Sequence, residues 1–259
     1  MASTHGDLHA EVKVASSVHA DETGFGRCGD LRMWLWAATS GLTEVFRLLP
    51  GRGGAQAKDL LGDGFSGILH RDRWKPYEQL PNARSQLCHA HIRRHFQAML
   101  EDEGETATQG AMLKLASDRA FHLWHTFERG EIDRAGLVRQ MIPIQKEIQQ
   151  RLTILRDHPA AQKRSRGIAK DLLRQWEALW TYVHEDGAVP TNNEAERAVR
   201  KAVLWRRGSF GVNSEDGARF VERILTLSGT THRRGLNLLD WLTRAIHAEL
   251  NEEPSPALV

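Results

Sequence analysis

Two different hydrophobic periods divide this chain, and together they restrict the folds open to it. Between residues 14 and 49 the apolar residues fall into three runs, 14–20, 32–39 (RMWLWAAT) and 43–49 (TEVFRLL), with short turn segments between them. The middle run is apolar on both alternating faces, as a central sheet strand is. Gly26, Gly29 and Asp30 supply turn chemistry ahead of it, and Pro50 with Gly51 closes the third run. Three strands with short links predict an antiparallel meander. The pattern then mixes. Residues 55–61 have helical spacing stopped by Gly62 and Gly64, and residues 65–69 read as a fourth strand that delivers Asp72 at its end. Residues 74–80 read as a short helix ended by Pro81, 85–88 as a short fifth strand, and 89–100 as a helix.

From Gly104 to about Glu185 no strand is evident. Met112, Leu115, Ala116, Arg119, Leu123, Trp124 and Phe127 repeat with the helical period, as do Met141, Ile144, Ile148, Leu152 and Leu155. Ile168, Leu172, Leu173, Trp176, Leu179 and Trp180 give a third stripe. Pro190 then breaks the chain, Asn192 or Asn193 can cap, and helices are expected over 194–203, 218–228 and 236–250. The division expected is a frayed or disordered segment 1–13, a first core part 14–103, a helical insertion 104–189, a C-terminal helical part of the core 190–250 and a tail 251–259. The order βββαβαβα is that of an α/β domain with a ribonuclease H-like mixed sheet, here carrying an all-helical insertion and C-terminal helices.

Composition narrows the function. With 259 residues, 41% of them hydrophobic, the chain can bury a large core. No run approaches the ~20 apolar residues of a membrane span, and MASTHGDLHAEVKV has no signal-peptide core. Two cysteines, Cys28 and Cys88, make no disulfide framework, so a reducing cytoplasm is expected. The net charge is only +2, but basic residues cluster at Arg93–Arg94, Lys163–Arg164–Arg166, Arg200–Lys201, Arg206–Arg207 and Arg233–Arg234. Such clusters serve either as solvated helix faces or as local phosphate-binding patches.

Three carboxylates stand in distinctive settings: Asp21 in VHADETG, Asp72 in GILHRDRW and Glu196 in TNNEAER. Two strand-end aspartates and a distant helical glutamate are the hard oxygen donors needed to hold a pair of divalent cations on a phosphodiester. Each has an ordinary alternative. Asp21 can be a turn or cap residue, Asp72 can pair with Arg71 or Arg73, and Glu196 can pair with Arg200 one turn on. In a ribonuclease H-like sheet the first and fourth strands are neighbours, so Asp21 and Asp72 would meet there.

The phrases HADETG, RMWLWAA, the RDRW…Y run from Arg71 to Tyr77, QLCHAHIRRHF, TNNEAERAVR, WRRGSFG and ERILTL resemble the catalytic domain of insertion sequence 66 family transposases. The resemblance runs from about Val18 to Leu250. It implies a bacterial DDE-type transposase with Asp21, Asp72 and Glu196 as catalytic triad and ligands of two Mg²⁺ or Mn²⁺ ions. Glu194 is the rival for the third position; two residues apart on a helix differ by about 200°, so only one of the pair faces the site. The implied reaction is metal-assisted DNA strand cleavage followed by strand transfer, without a covalent enzyme intermediate. DNA, as element ends and target, is the expected partner, in a homo-oligomeric complex and away from membranes.

Secondary candidates follow. Arg197, Arg200, Arg206 and Arg207 are candidate phosphate contacts, as is Arg94. Cys88 and His91 form a C-x-x-H that lacks the second pair of a zinc site and is expected to support the active-site region. Asn193 can cap the Glu196 helix or position substrate. Trp124, Trp176 and Trp180 lie on apolar stripes; Trp74 and Trp205 sit beside arginines, where core packing is the expectation and base stacking the alternative. Two departures from the family are visible. Only about 17 residues precede the match, so the DNA-recognition region is expected to be missing, and Arg71 occupies a place where a small residue is usual. The alternative to an active transposase domain is a truncated, inactive remnant that only binds DNA or oligomerises.

Overall fold

The computed structural model describes residues 1–28, 31–80, 82–209 and 211–258, with backbone only at Arg27 and Cys28. The expected turn residues Gly29 and Asp30 and the helix stop Pro81 lie outside the described residues. In chain order the elements begin with α1 (Ala2–Lys13), β1 (Ser17–Cys28), β2 (Leu31–Ser40), β3 (Thr43–Pro50), α2 (Gly54–Leu61), β4 (Ile68–Arg71), a 3₁₀ helix (Lys75–Gln79), β5 (Arg84–Leu87) and α3 (His89–Leu100). Then come α4 (Gly104–Glu128), α5 (Arg134–Asp157), α6 (Lys163–Arg174), α7 (Trp176–His184), α8 (Asn193–Ser209), α9 (Glu215–Arg233) and α10 (Leu238–Leu250). The sheet is mixed, in the order β3-β2-β1-β4-β5. The chain forms two compact units, Met1–Arg84 with Asn192–Val259, and Ser85–Thr191.

In the first unit the meander β1–β2–β3 is antiparallel, while β4 lies parallel to β1 with His19 opposite His70. β2 is the central strand its composition predicts. Trp36 and Ala38 enter one core with Val18, Ala20, Leu69 and Trp241 of α10. Leu35 and Ala37 enter a second with Phe46, Ala198 and Ala202 of α8, and Val221 and Leu225 of α9. The two faces of the sheet are thus covered by different helices, and period-2 alternation sorts each strand residue to one of them.

Residues 1–13 are not frayed. They form α1, whose buried side is Thr4, His5, Leu8, His9 and Val12. His5 donates from Nε2 to the Phe46 carbonyl (3.1 Å) and His9 to the Leu60 carbonyl (2.7 Å). Only two aliphatic residues mark that face, so the apolar period is faint and hydrogen-bonding histidines complete the packing. The tail is anchored as well: Trp241 Nε1 donates to Pro256, and Leu258 is buried.

The strand bounds also shift. β1 runs on through Glu22, Thr23 and Gly24 to Cys28, so Asp21 lies inside a strand and not at its end. Cross-strand hydrogen bonding to β2 carries the strand through residues that would be unfavourable alone. β4 is only four residues long and stops at Arg71, which leaves Asp72 as the first residue beyond it.

The second unit is built on α3 to α7, with Leu113, Ala116, Leu123, Trp124, Leu137, Met141, Leu152, Leu155, Leu172 and Trp180 buried. Its boundary falls at Arg84/Ser85, ahead of the expected 103/104, and α3 packs on α4 within it. Met112 and Leu115, expected in the α4 stripe, are exposed; the buried face is turned toward Leu113, Ala116, Ser117 and Ala120. His89 is fully enclosed, donates to the Leu179 carbonyl (2.7 Å) and touches the rings of Phe121, Trp180 and Tyr182. Burial holds its pKa down at about 4, so it packs as a neutral aromatic.

Candidate active site

The β1–β4 register, continued two residues past His19 and His70, points Asp21 at Asp72. Asp21 is paired across β2 with Ala37, a member of the core that also holds Ala198 and Ala202 of α8. Asp21 therefore faces the helix that carries Glu196. The electrostatics agree with this placement. Burial, and then the charges of Glu22, Asp72 and Glu196, push the Asp21 carboxyl up to about 7. Like charges within reach of one another in a partly dry site resist ionising together.

Asp72 is fixed from its own loop, since the Trp74 N–H donates to its Oδ1 (2.7 Å) and Arg71 Nη1 donates to its carbonyl (3.0 Å). Glu194, two residues before Glu196, is engaged elsewhere. Arg233 Nη2 donates to it (2.7 Å), and Arg197 is its second partner. Burial works against its charge, but these two arginines hold its pKa below the ordinary value. Arg233 also donates to Glu44 (2.9 Å), which is 0% exposed and has Lys201 at 3.4 Å. A Cβ on Gly229 would come within 2.4 Å of the Glu44 carboxylate, so glycine there makes room for the buried acid.

Three groups around the carboxylates have roles that the sequence did not show. Glu22 is buried on the opposite face of β1, where Tyr77 donates to it (2.5 Å) and Arg52 pairs with it (2.7 Å). The Arg52 guanidinium lies over the rings of Trp34 (5.0 Å) and Trp74 (4.1 Å). His19 and His70 stack at 4.0 Å, one strand step pair ahead of the two aspartates. Burial lowers them to about 4 and about 3, and each charge would oppose the other. Asn192 is the third. Its side chain does not cap α8 but, fully buried, donates to the carbonyl of Ala20 (2.8 Å), next to Asp21. Its own carbonyl accepts from the Glu196 N–H (3.2 Å). Asn192 thereby joins the start of α8 to β1 beside the first aspartate.

The matched sequence now decides the family. A family model described as "Transposase IS66 family" covers residues 2–220. The chain belongs to the IS66 transposase family. It is 27% identical to the uncharacterized protein y4qI of Sinorhizobium fredii (strain NBRC 101917 / NGR234), over 91% of this chain and 48% of that protein. It is 25% identical to the uncharacterized protein y4hP of the same organism, over 95% of this chain and 50% of that one. The chain spans about half the length of these curated relatives. No solved structure matches it. Among the described residues no helix is long and apolar enough to cross a membrane.

The other residues named from the sequence fall as follows in this transposase-family chain. Arg197, Arg200 and Arg207 are exposed on α8, and Arg206 donates to the Gly24 carbonyl. Asn193 is exposed as the first residue of α8. Cys88, Arg94 and His91 belong to the second unit: Cys88 is a buried cysteine outside any disulfide at the start of α3, whose carbonyl accepts from the His91 N–H (3.1 Å), and Arg94 is exposed on the same helix. Trp124 and Trp180 are core, whereas Trp74 and Trp205 are 37% and 38% exposed and do not pack in the interior as expected. Trp74 is held out by its position two residues beyond Asp72, where its ring covers Arg52 and its Nε1 donates to the Arg52 carbonyl (3.3 Å).

Proposed function

We propose that this chain is the catalytic domain of a DDE-type DNA transposase, with Asp21, Asp72 and Glu196 as the acting carboxylates. The observation that carries the reading is that Asp72 and Glu196 both lie within electrostatic reach of Asp21, whose carboxyl burial, Glu22 and these two acids lift to about 7. A carboxyl that burial and neighbouring charges hold back from ionising, as Asp21 is, gains from a hard cation. The donor set fits two Mg²⁺ or Mn²⁺ ions, because all three side chains offer only carboxylate oxygens. When bound, such ions supply Lewis-acid polarisation of a phosphodiester and stabilise the attacking and leaving oxygens.

The protein's own part is positioning. The Trp74 amide sets the Asp72 carboxylate, Asn192 holds α8 against β1, and the Arg233 pair engages Glu194, while the charge of Glu196 reaches Asp21. The sheet order β3-β2-β1-β4-β5, with an antiparallel meander and a parallel β1–β4 pair, supports a ribonuclease H-like core. DNA as substrate, a homo-oligomer that holds two ends, and a cytoplasmic location belong to the same reading.

The test is cleavage of labelled DNA in Mg²⁺ or Mn²⁺ by the full chain and by Asp21→Asn, Asp72→Asn and Glu196→Gln. Loss of about 10³-fold or more in each, with the unfolding transition retained, is expected. Full metal-dependent cleavage by Asp72→Asn would defeat the assignment. A pre-cleaved 3′-hydroxyl end joined to target DNA separates a transposase from a nuclease.

A further inference from the structure

One cleft of the first unit lies apart from the three carboxylates. It is lined by Gly24, Gly26, Arg32 and Arg206, and its volume is about 490 Å³. Its floor is backbone. β1 is bulged between Gly24 and Gly26, and Gly26 has φ +113°, a conformation that favours glycine. A Cβ at either position would meet no heavy atom within 4 Å, so the floor is open where a side chain would otherwise project. The walls are cationic. Arg206 donates to the Gly24 carbonyl and the Arg32 guanidinium lies 5.5 Å from the Trp34 ring centre. Neither has a carboxylate partner among the described residues, and a guanidinium with five N–H donors has several left over.

Close backbone approach between two arginines suits a phosphodiester better than an apolar ligand. Gly24 is three strand residues beyond Asp21, about 10 Å, or roughly three base-pair steps of a duplex. We propose that this cleft binds the phosphate backbone of the DNA strand whose neighbouring phosphates lie at the carboxylates. The identity of that strand rests on the function proposed above. Arg32, Gly24 and Gly26 are the additions; Arg206 is given a location and a partner.

The test is binding of a fluorescent single-stranded oligonucleotide to the full chain in EDTA across a salt series, so that divalent chemistry takes no part. Arg32→Gln is expected to lower the magnitude of the slope of log K against log[salt] by about 0.7, the value of one phosphate contact on a single strand. Gly24→Glu, which fills the floor and adds a negative charge, is expected to weaken binding about ten-fold or more. Wild-type affinity and slope in both Arg32→Gln and Gly24→Glu would overturn the inference; should Gly24→Glu not fold, Arg32→Gln decides alone. Weakened binding by the cleft variants, together with full cleavage by Asp72→Asn, would keep the cleft and sink the proposed function. The reverse pair of results would sink only the cleft.

Discussion

The two units bury different chemistry. In the sheet unit the interior holds Glu22, Glu44, Glu222, Arg71, His70 and Asn192, several of them less than 4% exposed. In the helical unit the buried polar residues are Gln86, His89, Thr106, Gln109, Ser117, Ser165 and Gln175, none of which carries a charge once His89 is held neutral. A helix bundle closes its interior with aliphatic stripes and has no need of buried ions. The sheet unit keeps carboxylates where desolvation is costly, and each is met by arginine, tyrosine or backbone donors. The contrast teaches that the chain's buried charge is concentrated in the unit that holds Asp21.

The largest effect that would break this contrast is on chemistry. If Asp72→Asn keeps cleavage, the buried charges of the sheet unit are structural and the two units differ only in style; a loss of about 10³-fold keeps them functional.

Next is the cost of Asp21 itself. Its folded pKa near 7 lies above the ordinary 3.8, so the folded protein keeps the proton longer than the unfolded chain. Without metal, Asp21's own contribution to stability should be most favourable below about pH 4, fall as pH rises toward 7, and level off above, by a total of about 4 kcal/mol, while the buried neutral histidines His19, His70 and His89 act in the opposite sense in acid. Asp21→Asn removes the carboxylate and should be the more stable protein at pH 8, and urea titrations at pH 5 and pH 8 in EDTA measure it. A difference between wild type and Asp21→Asn that is the same at both pH values would show that the Asp21 carboxyl is not strained.

Breaking the buried ion network ranks third. Arg233→Met strips Glu44 and Glu194 of their shared partner and should cost about 3 kcal/mol, with Lys201 at 3.4 Å covering part of the loss for Glu44. The smallest effect belongs to the helical unit. Arg119 pairs with Glu147 at the surface, and Arg119→Met should change stability by at most about 1 kcal/mol. If the Arg119 variant proved the worse of the two, the division of charge between the units would carry no energetic meaning.

Much of the sheet unit was legible before any coordinates. The three runs of the meander, the fourth strand ahead of Asp72 and the helix at Glu196 follow from period and punctuation, because β2 is apolar on both faces and Gly62 and Pro190 interrupt the chain. α1 was not legible, since histidines bonded to carbonyls fill positions where a period search expects aliphatic residues. Asp21 is expected at a strand end because Glu22 and Gly24 carry poor strand propensity; their pairing with Trp36 and Trp34 overrides it. Glu22 was missed because an acid next to another acid on a strand points to the other face, where only the fold shows Tyr77 and Arg52 waiting. One signal was available and unused. His19-Ala20-Asp21 and His70-Arg71-Asp72 share the same H-x-D spacing, which on paired parallel strands stacks the histidines and aligns the aspartates. Asn192 had no such signal: its bond to Ala20 spans 172 residues.

That long bond has a consequence for the newborn chain. Asp21 and Asp72 leave the ribosome before the other two, and Asn192 and Glu196 follow 120 and 124 residues after Asp72, once the whole helical unit has been made. At about 5–20 residues per second the delay is roughly 6–25 s. For that interval the two aspartates lie in a sheet without its α8 cover. The third carboxylate arrives only with the segment that completes the fold, so a half-made polypeptide lacks the full constellation.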